Sequence, residues 1–82
     1  MHFIKLTPIE LVIDNNTFKY TGYERKDSIF VNINNITAIQ EGSVFLKENI
    51  YRNIYTLKCN FNGYPTIIHV ILNDYNKGLM GI

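Results

Sequence analysis

The sequence has a single cysteine, Cys59, so no internal disulfide framework can hold it together. It has one alanine, Ala38, and six leucines in 82 residues, which leaves the usual helix formers scarce. It has almost no net charge: eight Lys and Arg against seven Asp and Glu leave +1, which excludes both an acidic tail and a polybasic arm. No apolar run approaches the roughly 18 residues of a helical membrane span. The opening Met1-His2-Phe3-Ile4-Lys5-Leu6-Thr7 is too short and too polar for a signal peptide, so the expectation is a cytoplasmic protein without a membrane partner. A chain of this length buries roughly 60% of its unfolded surface, so its stability is expected to be marginal.

What is abundant points to form. Thirteen Ile, four Val, six Thr, six Tyr and five Phe are residues that suit a pleated, half-buried surface, and together they are 34 of the 82. The chain therefore reads as all-β, one small domain over residues 1–82, with 73–82 a turn or a loose end containing two glycines. Asn, Ile, Lys, Tyr and Phe, whose codons are AT-rich, number 41, half the chain. That usage fits a low-GC bacterium, its phages or its mobile elements.

Turn signals recur along the chain as they do between consecutive hairpins. Asn62-Gly63 accepts the positive φ values of a type I′ turn. It pairs Phe61 with Tyr64, Cys59 with Thr66, Leu57 with Ile68 and Tyr55 with Val70, which gathers the apolar residues on one face. Asn15-Asn16 would set Ile13 beside Phe18 and Leu11 beside Tyr20. Asn34-Asn35 would join Ile29–Ile33 to Ile36–Gln40, and Gly42-Ser43 would turn again into Val44–Lys47. His2–Thr7 supplies an opening strand, while 48–53 fits strand, loop or a short helix. The expected architecture is an antiparallel meander of seven or eight short strands, with at most one short helix or turn. It would curl into a small barrel or strongly bent sheet, because an open sheet of that width leaves two edges and a bare face.

Little of this composition supports chemistry. His2, His69 and Cys59 are the metal-ligand types, but they lack the paired short spacings of a zinc site. The hairpin register also turns His69 away from Cys59. Cys59 falls on the apolar face, where a thiol acts as a small hydrophobe, and Ser28 and Ser43 lack a nucleophile-elbow context. The carboxylates are dispersed, and no phosphate-cradling glycine pattern occurs. The sequence therefore predicts a protein that is not an enzyme and carries no cofactor or metal.

Two classes of binding remain. Phe3 with Lys5, Tyr20 with Lys19 and Tyr51 with Arg52 interleave aromatic and basic residues, as in small β-folds that stack single-stranded nucleic acid or a nucleotide. The near-neutral charge argues against that class, because phosphate binding calls for a basic footprint. The alternative is a protein partner. Tyr23, Arg25 and Lys26 lie in the densest charge cluster, Tyr23-Glu24-Arg25-Lys26-Asp27, which reads as a loop after Gly22. Tyr51 and Arg52 repeat the pairing of an aromatic with Arg that is enriched at binding hot spots. These five residues are the candidate partner-binding set.

Phe3-Ile4-Lys5-Leu6-Thr7, Phe30-Val31-Asn32-Ile33, Ile36-Thr37-Ala38-Ile39 and Glu41 resemble the short FlbD-like flagellar proteins and similarly patterned phage and mobile-element proteins. The resemblance spans residues 3–46, with an echo at Ile68-His69-Val70. It implies a cytoplasmic, β-rich, non-enzymatic protein that acts by contacting another protein. Ile71–Ile82 departs from the acidic segment and short helix that end such proteins, and Glu10–Tyr23 has no counterpart in them. The reading that follows is a protein-binding module, in its most concrete form a phage- or mobile-element-encoded accessory protein or inhibitor of a host system. Binding of single-stranded nucleic acid or a nucleotide is the alternative, and a flagellar accessory role the third reading. The strand Thr66–Leu72 is apolar on both faces. Ile67 and Ile71 therefore call for cover from a second copy, which predicts a homo-oligomer.

Overall fold

The computed structural model describes residues 2–46 and 50–75. The strands run in the order β1 (Phe3–Leu6), β2 (Ile9–Ile13), β3 (Tyr20–Arg25), β4 (Ile29–Asn32), β5 (Ile36–Leu46), β6 (Ile50–Phe61) and β7 (Tyr64–Ile71). A 3-10 turn, Ile33–Asn35, separates β4 from β5, and residues 72–75 are helical. No helix among the described residues is long and apolar enough to cross a membrane.

The all-β expectation holds, but the described strands do not close into a barrel. They form three antiparallel sheets: β1 with β4, β2 with β3, and β5–β6–β7 in that order. The reason is the length of the central ribbon. β6 has 12 residues, about 40 Å of strand at the usual rise, and it sets the 44 Å long axis of the molecule. The radius of gyration, 13.6 Å, accordingly exceeds the roughly 12 Å of a compact chain this size.

Each small sheet covers a different face of that ribbon. Directly opposed residues share a face, so Ile39, Leu57 and Ile68 lie on one side, while Gly42, Ile54 and Ile71 lie on the other. On the first face Leu57, Cys59, Ile68 and Val70 pack with Ile4 and Leu6 of β1 and Val31 of β4. On the second, Ile54 and Ile71 pack with Ile9, and Leu11, Tyr23 and Val44 close around them. Pro8 makes an isolated bridge to Val70, so the chain passes the β7 edge between Leu6 on one face and Ile9 on the other.

The Asn62-Gly63 hairpin is the one read from the sequence. Phe61 pairs with Tyr64, Cys59 with Thr66, Leu57 with Ile68 and Tyr55 with Val70. Asn62 and Gly63 have φ of 55° and 90°, and Asn60 Oδ1 accepts from Gly63 N at 2.7 Å. A Cβ at Gly63 would meet nothing within 4 Å, so the demand there is on the backbone alone. Gly63→Val is expected to cost more than about 1 kcal/mol, because a β-branched residue resists positive φ. An unchanged thermal melting curve would sink this account of the turn.

The other turns differ from the expectation. Asn15-Asn16 does lie between paired strands, but Leu11 faces Tyr23 and Ile13 faces Tyr20, with a register shift after Val12. Asp14 is the cause: its side chain accepts from Asn16 N at 2.8 Å, and its carbonyl accepts from Phe18 N at 2.7 Å. The loop is therefore longer than a two-residue turn, and Phe18 takes the positive φ of 57° and stands 78% exposed. Asn34-Asn35 does not make a hairpin. Asn32 Oδ1 accepts from Asn34 N at 2.9 Å and caps the 3-10 turn, and β4 pairs back with β1 while β5 pairs with β6. Gly42-Ser43 is not a turn either. Both residues lie inside β5, opposite Ile54 and Asn53, and the β5–β6 connection falls at 47–49, outside the described residues. Residues 50–53 are strand, so only 48 and 49 of the ambiguous segment remain undescribed. Residues 73–75 belong to a helical turn, and 76–82 lie outside the described residues.

Candidate functional site

Tyr23, Glu24 and Arg25 were expected in a loop, but they form the end of β3, paired with Leu11, Glu10 and Ile9. The strand does not stop at Gly22. The extra residue beside it bends the strand, and Tyr23 then turns onto the Ile9–Ile54–Ile71 cluster. Arg25 lies over the Tyr23 ring, 5.3 Å from its centroid, and its Nε donates to Asp74 Oδ2 at 2.8 Å. That hydrogen bond and the Asp74 charge, with Tyr23 adding to them, raise the guanidinium's affinity for its proton. Lys26 Nζ sits 2.8 Å from Glu10 Oε2 and 3.8 Å from Glu24 Oε2. The Lys26–Glu10 hydrogen bond, reinforced by charge, lowers the Glu10 pKa and raises that of Lys26. The Lys26 pairs are solvent-exposed and stay within the hairpin; the Arg25–Asp74 pair joins the hairpin's end to the helical turn at 72–75.

Tyr51 and Arg52, in the segment that fitted strand, loop or a short helix, lie in strand β6. Tyr51 is directly opposite Phe45, and the rings meet edge to face, with centroids 4.6 Å apart and planes at 88°. Both stay open to solvent, Phe45 at 63% and Tyr51 at 52%. Arg52 Nη1 donates to the Tyr51 carbonyl at 3.0 Å, and no carboxylate among the described residues meets this guanidinium. Tyr51, Arg52 and Asn53 line a cleft of about 210 Å³ with Ile71, Leu72 and Asn73. Both candidate sets thus lie near one stretch of chain: Arg25 bonds Asp74, and Arg52 lines a cleft with Asn73.

Phe45 and Asp74 are the residues that sequence reasoning missed. Asp74 offered no signal, because it is 49 positions from Arg25. Phe45 could have been found by centring a hairpin on residue 48, which pairs Phe45 with Tyr51. A false turn at Gly42-Ser43 hid it.

Elsewhere, His69 Nδ1 and Thr56 Oγ1 share a hydrogen bond of 3.0 Å on the face away from Cys59, as the register required. No group of three or more His, Cys, Asp or Glu could hold a metal ion among the described residues. Burial pushes the Cys59 thiol pKa up, the opposite of what an activated nucleophile needs. Ser28 Oγ lies 2.9 Å from Thr7 Oγ1, and Ser43 Oγ donates to Asn53 Oδ1 at 3.1 Å. Lys5 is opposite Phe30 on the outer face of the β1–β4 sheet, with Phe3 two residues along. A shallow apolar groove of about 270 Å³ opens between Ile33, Ile36, Ile39 and Tyr75, where Tyr75 packs on Tyr55 at 5.0 Å. Comparisons with protein-family models, with curated proteins and with solved structures find no match to this chain.

Proposed function

We propose that this protein is a non-enzymatic protein-binding module that docks through Tyr51 and Arg52. The observation that carries this reading is the exposed Phe45–Tyr51 ring pair beside the Arg52 guanidinium, which donates to its neighbour's carbonyl and meets no carboxylate among the described residues. An edge-to-face pair holds Tyr51 in place, so little side-chain entropy is lost when a partner covers it. Arg52 brings several unused donors suited to a carboxylate on that partner. Tyr23, Arg25 and Lys26 have their own contacts within the chain, Tyr23 on the Ile9–Ile54–Ile71 cluster, Arg25 with Asp74 and Lys26 with Glu10 and Glu24. An accessory protein or host-system inhibitor encoded by a phage or mobile element is the most concrete form, supported by the AT-rich residue usage.

The test compares the wild type with the Tyr51→Ala, Arg52→Ala double variant as baits in lysate of the source cell. One protein should be retained by the wild type and its recovery should fall at least about tenfold with the variant, since hot-spot truncations of this kind cost 1–2 kcal/mol or more each. Equal recovery by two baits with the same melting curve would refute the docking surface. Salt-sensitive retention of single-stranded DNA, lost on Phe30→Ala, would instead favour the nucleic-acid reading and the Phe3–Lys5–Phe30 face.

A further inference from the structure

The self-association expected from the sequence rested on Ile67 and Ile71, and the structure divides that pair. Ile71 is 7% exposed, covered by Ile9 and Ile54 of the same chain, while Ile67 is left alone at 61%. A different element lacks a partner. β5 pairs with β6 along one edge only, and no described strand pairs with its other edge. Residues 37–43 of that strand are all exposed. Native edges are usually blunted by Lys, Pro or short length, because their free N–H and C=O groups template a further strand. The regular part of β5, Ala38–Leu46, is nine residues with neither Lys nor Pro and with Glu41 as its one charge.

We infer that two copies of this chain pair antiparallel through β5 about a twofold axis at Gly42, joining their three-stranded sheets into one of six. A twofold normal to the sheet must pass through one residue, because directly opposed side chains share a face. The sequence and register of β5 weigh against four other axes. At Glu41 the two carboxylates would oppose each other. At Gln40 or Ser43, Glu41 would face Ile39 or Phe45 of the other copy. At Ile39 the ladder would run into the register shift between Ile36 and Ala38.

Centring on Gly42 avoids every one of these conflicts. It places Ile39 opposite Phe45, Gln40 opposite Val44, Glu41 opposite Ser43 and Ala38 opposite Leu46, each pairing occurring twice. Ile39 and Phe45 are 46% and 63% exposed and lie on the same face, so each would cover the other as a cross-strand pair of a β-branched and an aromatic residue. Glu41 would face a hydroxyl. Gly42 is also the midpoint of the regular stretch, and nothing among the described residues accounts for a glycine there. It has no positive φ, and a Cβ would meet nothing within 4 Å. Glycine within a strand weakens it and marks a place where another backbone comes close, as the copy does on this axis.

The dimer shares Phe45 with the docking surface proposed above but leaves Tyr51 and Arg52 out of its ladder, and it is tested by mass and cross-linking rather than by capture. Light scattering on the full chain at about 100 µM should give twice the 9.6 kDa monomer mass, and dilution should dissociate it. Ile39→Lys, at an exposed position that leaves folding intact, should raise the dissociation constant at least about tenfold. The register is tested by Gly42→Cys, because residues directly opposed across an antiparallel pair have Cα atoms about 4.5–5.5 Å apart, within disulfide range. Oxidation by diamide should link Gly42→Cys chains rapidly. Gln40→Cys, whose two copies would be four residues out of step, should stay unlinked; Cys59 is buried and does not compete. A monomer mass at that concentration would overturn the inference. So would linkage equally fast at both positions, or a dimer abolished by Ile67→Lys and untouched by Ile39→Lys.

Discussion

Leu57→Ala is expected to remove a large share of the protein's stability. Leu57 is fully buried at the middle of β6, where β1 and β4 close over the sheet. Truncating a leucine in a packed core costs about 2–5 kcal/mol, the loss of transfer free energy adding to that of the cavity left behind. A domain of 82 residues holds roughly 4–12 kcal/mol in all. Neighbours could relax into the space only by moving strands whose ladders hold them, so the upper half of the range applies. Urea denaturation checks this. A midpoint within error of the wild type would mean that Leu57 is not at the centre of the core.

Ile54→Ala acts on the other face and should have a different signature. Ile54 is 5% exposed and is the β6 residue on which Ile9, Ile71 and the β2–β3 hairpin meet. The cost is again about 2–5 kcal/mol for removing most of a buried isoleucine. The β2–β3 hairpin has no core of its own, and a lone two-stranded hairpin is marginal in water. Its remaining attachments include the Pro8–Val70 bridge and the exposed Arg25–Asp74 pair. Amides of Ile9–Ile13 and Tyr20–Arg25 should therefore lose hydrogen-exchange protection well before those of β1, β4 and β7. Equal loss in every strand would show that the two clusters unfold as one unit.

Much of the candidate site lay in plain view as residue types. Tyr23, Arg25, Lys26, Tyr51 and Arg52 were selected because aromatic and basic neighbours are useful at a surface, and all five are in the described part of the molecule. Their setting was not legible. Tyr23 sits half-buried on Ile9 and Ile54, and Arg25 is held by a carboxylate from the far end of the chain. Both relations depend on which face of β6 the hairpin covers, and alternation along a single strand cannot specify that. Tyr51 and Phe45 are the intermediate case. Their pairing needed only the correct centre for one hairpin, which glycine at position 42 concealed by its resemblance to a turn residue.

The sequence by itself determined the all-β character, through its β-branched and aromatic content, and the whole register of the β6–β7 hairpin. That register followed because Asn62-Gly63 states a local backbone requirement, and the alternation of Leu57, Cys59, Ile68 and Val70 agrees with it. Only the tertiary structure decided that the chain would build three sheets instead of a barrel. β6 carries Leu57 for one face and Ile54 for the other, and each must be covered by whatever segment can reach it. β1 with β4 reaches the first and β2 with β3 the second, across the pivot at Pro8. Such long-range choices are made by competition among apolar surfaces for burial, and local propensity carries no record of which surface wins.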